Sequence, residues 1–114
     1  MADTDISDDR PRGRLTARED GTEAGAASYF VLDADPPALV AVHTVVDEAH
    51  EGKGIAGALV RHLYRMAAAE GVPVVPLCPY AARWAERHPG EAPEPPAALV
   101  AEAGRQSAAR RGRA

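Results

Sequence analysis

The chain has 114 residues, 17 acidic and 13 basic side chains, a formal net charge of −4 and a single cysteine. That balance argues against a dedicated nucleic-acid binder, which needs a basic surface to displace counterions from phosphates. The length suits one small domain, no apolar run is long enough to span a bilayer, the acidic N-terminus has no signal-peptide core, and a lone cysteine fits a reducing cytoplasm.

Residues 1–12 carry many aspartates and almost no large apolar groups, and are expected to be disordered. Residues 14–18 alternate polar and apolar side chains, as a half-buried strand does. Asp20-Gly21 offers the positive φ angles of a tight hairpin, and a return strand over 27–32 followed by a turn at 33–37 gives an antiparallel meander. Residues 38–46 are apolar on both faces for most of their length, the pattern of a central strand covered on both sides.

After a polar loop at 47–51, Ile55, Leu59, Leu63 and Met66 recur at helical spacing, which predicts a helix from about 54 to 70. Arg61, His62 and Arg65 sit largely off that stripe, and Gly71 is placed to stop the helix. The apolar run 72–77 completes a strand–helix–strand unit, so the two strands should be parallel. Pro73 and Pro76 cannot donate to a ladder. They suit either an edge strand or one that diverges from its neighbour and leaves a gap for a ligand. Pro79 opens a short helix through Arg87 that buries Trp84, and His88-Pro89-Gly90 ends it. Residues 91–114 are rich in alanine and proline, then basic at Arg105, Arg110, Arg111 and Arg113. They are expected to be largely disordered, with one helical turn around Leu99 and Val100. The ordered domain is therefore expected over 13–90, an α/β unit of about 75–80 residues with a thin core.

The stretch with the most chemistry is Glu51-Gly52-Lys53-Gly54-Ile55-Ala56, a glycine turn at the mouth of the helix. The first N–H groups of a helix have no intrahelical partners, and the dipole favours negative charge there, so such a turn can cradle a phosphate. Gly52, Gly54 and Gly57 satisfy G-x-G-x-x-G literally, but the dinucleotide reading lacks its context. The turn does not follow the strand directly, the second strand ends at Cys78 rather than near an acidic residue, and the chain is too short for a full doubly wound sheet. A Walker loop fails because no Ser or Thr follows Lys53 at the required place.

His43-Thr44, the stretch from Glu51 to Val60, the stretch from Val74 to Tyr80, and Arg87-His88-Pro89 together resemble the small YjdJ-like branch of the GNAT acyl-CoA N-acyltransferases. The resemblance spans about residues 14–90. It implies a compact GNAT-like fold in which the meander leads into parallel strands that splay apart, followed by a short helix. It also implies acetyl-CoA or coenzyme A as cofactor. Gly52, Lys53, Gly54, Ile55 and Ala56 match the family's pyrophosphate turn, whereas Glu51 stands where Arg or Gln is expected, a charge repulsive to pyrophosphate. The pantetheine arm would lie between the strand ending at Val45 and Val46 and the strand ending at Cys78, with Tyr80 just beyond.

Two side chains are candidates for the chemistry. His43 is either a base for the incoming amine or a strand histidine satisfied by a neighbour. Cys78 is a general acid toward the departing thiolate, a transient acyl carrier, or simply a small buried side chain. Family members commonly carry Glu after the His-Thr pair, and Val45 stands there instead. The expected function is direct transfer of an acetyl group to an unidentified primary amine on a small molecule or protein. The alternatives are a non-catalytic acyl-CoA-binding module acting through a protein partner and, third, a dinucleotide-binding fragment. A short chain of this kind lacks the N-terminal helical part that forms the acceptor pocket in larger relatives. A partner protein or a homodimer could complete the site, and a monomer is equally open.

Overall fold

The structure is a computed structural model that describes residues 4–112. Five strands lie in one sheet in chain order: β1 (Thr4–Asp9), β2 (Arg14–Glu19), β3 (Thr22–Val31), β4 (Leu39–Val46) and β5 (Val74–Pro76). The first four pair antiparallel and β5 joins β4 in parallel, so the meander and the crossover both stand as expected. Asp20 and Gly21 take φ values of 51° and 78° and close the two-residue turn between β2 and β3. β3 starts earlier than residue 27 because its first half is held by backbone pairing to β2 and β4, not by a run of large apolar side chains.

The crossover helix α1 (Ile55–Glu70) buries Ile55, Leu59, Val60, Leu63, Tyr64 and Ala67 against one face of the sheet. Gly71, at φ 74°, donates its N–H to the carbonyls of Ala67 and Ala68 and ends the helix. The next helix, α2 (Pro79–Arg87), packs beside α1, with Trp84 stacked on Tyr64 at 5.6 Å between ring centroids. The first turn of α1 lies directly against α2, where a Cβ at Gly57 would stand at ordinary contact distance, 3.4 Å from Tyr80 Oη and 3.5 Å from Trp84 Nε1.

Two segments expected to be disordered are ordered. Residues 4–9 form the edge strand β1, although Ile6 is their sole large apolar side chain, and it packs against the core under α1. Cross-strand polar contacts supply the rest: Arg18 donates to Ser7 at 3.1 Å and the Tyr29 hydroxyl donates to Asp8. Residues 97–111 form a full helix, α3 (Ala97–Arg111), rather than one turn. Alanine supplies its helix propensity, and small residues let it lie close to the sheet. Ala103 is fully buried over Phe30, Leu32, Val40 and Val75, forming a second core on the face opposite α1. Gln106 fixes the helix to the β3–β4 connection, donating to the Asp33 carbonyl at 2.9 Å and accepting from its N–H at 3.0 Å. Residues 1–3 and 113–114, also expected to be disordered, lie outside the described residues.

Candidate functional site

β4 and β5 pair only from Leu39–Val74 to Ala41–Pro76. Pro76 has no N–H to give, the N–H groups of Leu77 and Cys78 both turn onto the Ala41 carbonyl at 3.0 Å, and Pro79 starts α2. β4 meanwhile runs on to Val46 without a partner on that side. Across β4, Ser28 faces His43 while Tyr29 faces Ala41, so Val42 is the extra residue of a bulge at the level where the two strands separate. The fork thus arises from a proline on one strand and a bulge on the other.

The glycine turn opens beside this fork. Gly52 and Gly54 take φ values of 82° and 77°, and no side chain caps α1. From Gly52 to Gly57 no backbone N–H has an acceptor among the described residues; the first intrahelical bond is Ala58 N–H to the Gly54 carbonyl, 3.0 Å. Donors left free in succession by positive-φ residues form an anion-binding concavity. A cavity of about 300 Å³ lies over them and brings together Val46, Gly52, Gly54, Ile55, Ala56 and Tyr80, all six named from the sequence as cofactor contacts. His50, Glu51 and Gly57 complete its lining. A diphosphate fits this donor set, because no heavy atom lies within 4 Å of the place a Cβ would take at Gly52 or Gly54.

Val45 and Cys78 do not line this cavity, and Lys53 contributes its backbone N–H to the turn while its side chain points away. Lys53 reaches back to Glu19 Oε1 at 3.4 Å, the same oxygen that meets His50 Nδ1 at 2.6 Å. Glu19 is buried at the end of β2, and the His50 hydrogen bond, aided by Lys53, holds its carboxyl below the usual carboxylate range. This carboxylate anchors the loop that carries the turn, and sequence reasoning missed it because nothing local distinguishes Glu19 from a solvated strand end. Gly25 was missed too. A Cβ there would lie 2.8 Å from the Val45 carbonyl oxygen and 3.2 Å from Ile55 Cγ2, so glycine lets β3, β4 and the start of α1 meet. A glycine inside a strand is the signal that could have found it.

The two side chains named for chemistry lie on opposite sides of β4. Thr44 reaches Cys78, with 3.6 Å between Oγ1 and Sγ, and Cys78 is 4% exposed at the base of the fork. His43, the preceding residue, is exposed and lines a groove of about 380 Å³ on the other face with Ser28, Val45 and Asp47.

A mixed sheet whose parallel pair forks beside an uncapped helix start has the architecture of acyl-coenzyme A-dependent transferases. The chain belongs to the GCN5-related N-acetyl-transferase family, whose model matches residues 14–93. Among solved structures it resembles a ribosomal-protein-alanine N-acetyltransferase from Brucella melitensis biovar Abortus 2308, at 28% identity and TM-score 0.57, over 65% of this chain and 58% of that one. It also resembles an aminoglycoside acetyltransferase from an uncultured soil metagenomic sample, solved in complex with sisomicin, at 19% identity and TM-score 0.57, over 73% and 60%. A predicted acetyltransferase from Clostridium acetobutylicum, solved with acetyl-CoA, matches at 12% identity and TM-score 0.54, over 66% and 55%. In each case the match spans less than two thirds of the longer relative. No curated protein matches the chain.

Among the described residues, no helix is long and apolar enough to cross a membrane.

Proposed function

We propose that the protein is an acetyl-CoA-dependent N-acetyltransferase of the small YjdJ-like kind, acting in the cytoplasm on a primary amine by direct transfer. The observation that carries the reading is the coincidence of acceptor-free N–H groups from Gly52 to Gly57 with the fork between β4 and β5. The N–H groups hold the pyrophosphate, and the unpaired edge of β4 at Val45 and Val46 receives the pantetheine arm. Acetyl-CoA supplies an activated thioester. Reaction with the amine forms a C–N bond as the C–S bond breaks, and the chain's own groups handle the protons. His43 takes the proton from the amine on the open face, and Cys78, set at the fork, is the donor for the departing sulfur. Tyr80 closes the cavity wall and contacts the cofactor there.

Calorimetry of the purified protein with acetyl-CoA, coenzyme A and NAD tests the binding half. Both coenzyme A forms should bind and NAD should not; no binding of either at millimolar concentration overturns the proposal. Thiol release from acetyl-CoA with a panel of amines then tests turnover.

A further inference from the structure

On the sheet face away from α1, two adjoining cavities differ in charge, the first with an excess of acidic residues and the second lined by arginines. The first is the groove of about 380 Å³ that holds His43, and its charged lining residues are Glu23 and Asp47 with the single cation Arg14. Glu23 is paired with Arg14 at 2.8 Å, whereas Asp47 has no ion-pair partner among the described residues. The second, about 260 Å³, shares Ser28 with the first and opens between Val42, where β4 bulges, and the last turns of α3. Its walls carry Arg12, Arg110 and Arg111.

These arginines differ in how they are engaged. Arg12 is paired with Asp9 at 2.9 Å. The Arg110 guanidinium lies 4.4 Å from the centroid of the Phe30 ring, and Arg111 donates to Ser107 Oγ at 3.0 Å. Neither Arg110 nor Arg111 has a carboxylate partner among the described residues. Stacking on Phe30 and the bond to Ser107 hold both groups in place, so an incoming anion has less side-chain freedom to quench. A guanidinium presents parallel donors suited to a carboxylate or a phosphate, and this cavity is lined by two without a carboxylate partner among the described residues.

We infer that the two cavities form one acceptor groove, and that it selects a small amine bearing a carboxylate or phosphate at its far end. The ammonium lies toward Asp47 and His43, and the anion is received by Arg110 and Arg111. The role of this ligand as acetyl acceptor rests on the function proposed above; its binding does not. Arg12, Arg110 and Arg111 all fall outside residues 14–93, the part that matches the family. Selection of this ligand is therefore supplied by segments flanking the shared domain, above all by α3.

Titration calorimetry of the full chain at low salt with 2-aminoethyl phosphate, β-alanine and ethanolamine tests the inference. The two anionic amines should bind, and ethanolamine, which lacks the anion, should bind at least about tenfold more weakly. The Arg110→Gln/Arg111→Gln double variant, exposed and expected to fold, should bind all three as weakly as ethanolamine while its coenzyme A affinity stays that of the wild type. The Arg110→Lys/Arg111→Lys double variant should keep a preference for anionic amines. Equal binding of ethanolamine by the wild type, undiminished anion binding by the Gln variant, or no binding of either anionic amine overturns the inference. Loss of coenzyme A binding in the wild type with anion selection intact would instead remove the transferase reading and leave the groove.

Discussion

Glu19 at the end of β2 and His50 in the loop after β4 are joined at 2.6 Å between Oε1 and Nδ1, and this contact ties the glycine turn to the sheet. Because hydrogen bonding to His50 lowers the folded pKa of Glu19, its contribution to stability is present above the ordinary carboxylate value of about 4.3. It drains away as pH falls through the lowered folded value. Glu19→Gln should therefore flatten the acid side of the stability profile, with wild type and variant converging below about pH 4. Melting temperatures measured across pH check this; parallel profiles would show that the pair does not act as an anchor.

Glu51 lines the cavity over the glycine turn, while the nearest cation in sequence, Lys53, is occupied by Glu19. In the function proposed above, the turn meets a diphosphate with backbone donors and one acidic residue alongside them. Glu51→Arg should tighten coenzyme A binding about fivefold at low salt, an effect that fades as salt screens an exposed charge. A salt series of binding isotherms reads both parts. An unchanged affinity at low salt would mean that the Glu51 side chain does not face the phosphates.

Gly25 sits where the Val45 carbonyl and Ile55 converge, and neither neighbour is the free end of a flexible chain. Gly25→Ala should cost about 1–3 kcal/mol through backbone displacement and should weaken coenzyme A binding, since it pushes β4 from the start of α1. Denaturant midpoints and coenzyme affinity, taken together, distinguish this from a loss confined to stability.

Much of the fold was legible because its parts carry local signals. Asp20-Gly21 marks a turn, Ile55 to Met66 a helical stripe, Gly71 a stop, and Pro76 and Pro79 the end of a ladder and the start of a helix. Residues 38–46 even announced burial on both faces, yet no second cover was assigned. That cover is α3, whose alanines give helix propensity but almost no amphipathic contrast, so its inward face cannot be read from periodicity. β1 was hidden for the opposite reason: its pairing is backbone and polar, with Ile6 alone to signal an inside. In the site, residues adjacent along the turn were legible, whereas the Glu19 anchor and the arginine-walled cavity depend on tertiary contacts among distant segments.

The packing of α3 gives its own prediction. Ala103 is 0% exposed against Phe30, Leu32 and Val40, with no room for a charge and no partner to receive one. Ala103→Glu should destabilise the protein by about 3 kcal/mol or more, while Gly104→Glu, one residue on and exposed, should cost far less. Urea unfolding of the pair checks it. Equal small effects would return residues 97–111 to an unpacked tail.

The burial of Cys78 bears on the course of the reaction. Its sulfur lies under Thr44 Oγ1 at the closed base of the fork, 4% exposed, whereas an acyl carrier must present its thiolate to a bulky thioester. This burial suits the direct attack by the amine proposed above, in which His43 on the open face is the base. Steady-state kinetics should then give intersecting rather than parallel lines, and mass spectrometry after acetyl-CoA alone should find no acetyl group on Cys78. Cys78→Ala should leave coenzyme affinity intact and slow turnover only as far as the thiol reaches the departing sulfur, an unchanged rate returning it to a packing role, and His43→Gln should lower kcat by about a hundredfold with the same coenzyme affinity. Parallel lines together with an acetylated Cys78 would make the thiol an acyl carrier, and the fork would then have to open far enough to expose it.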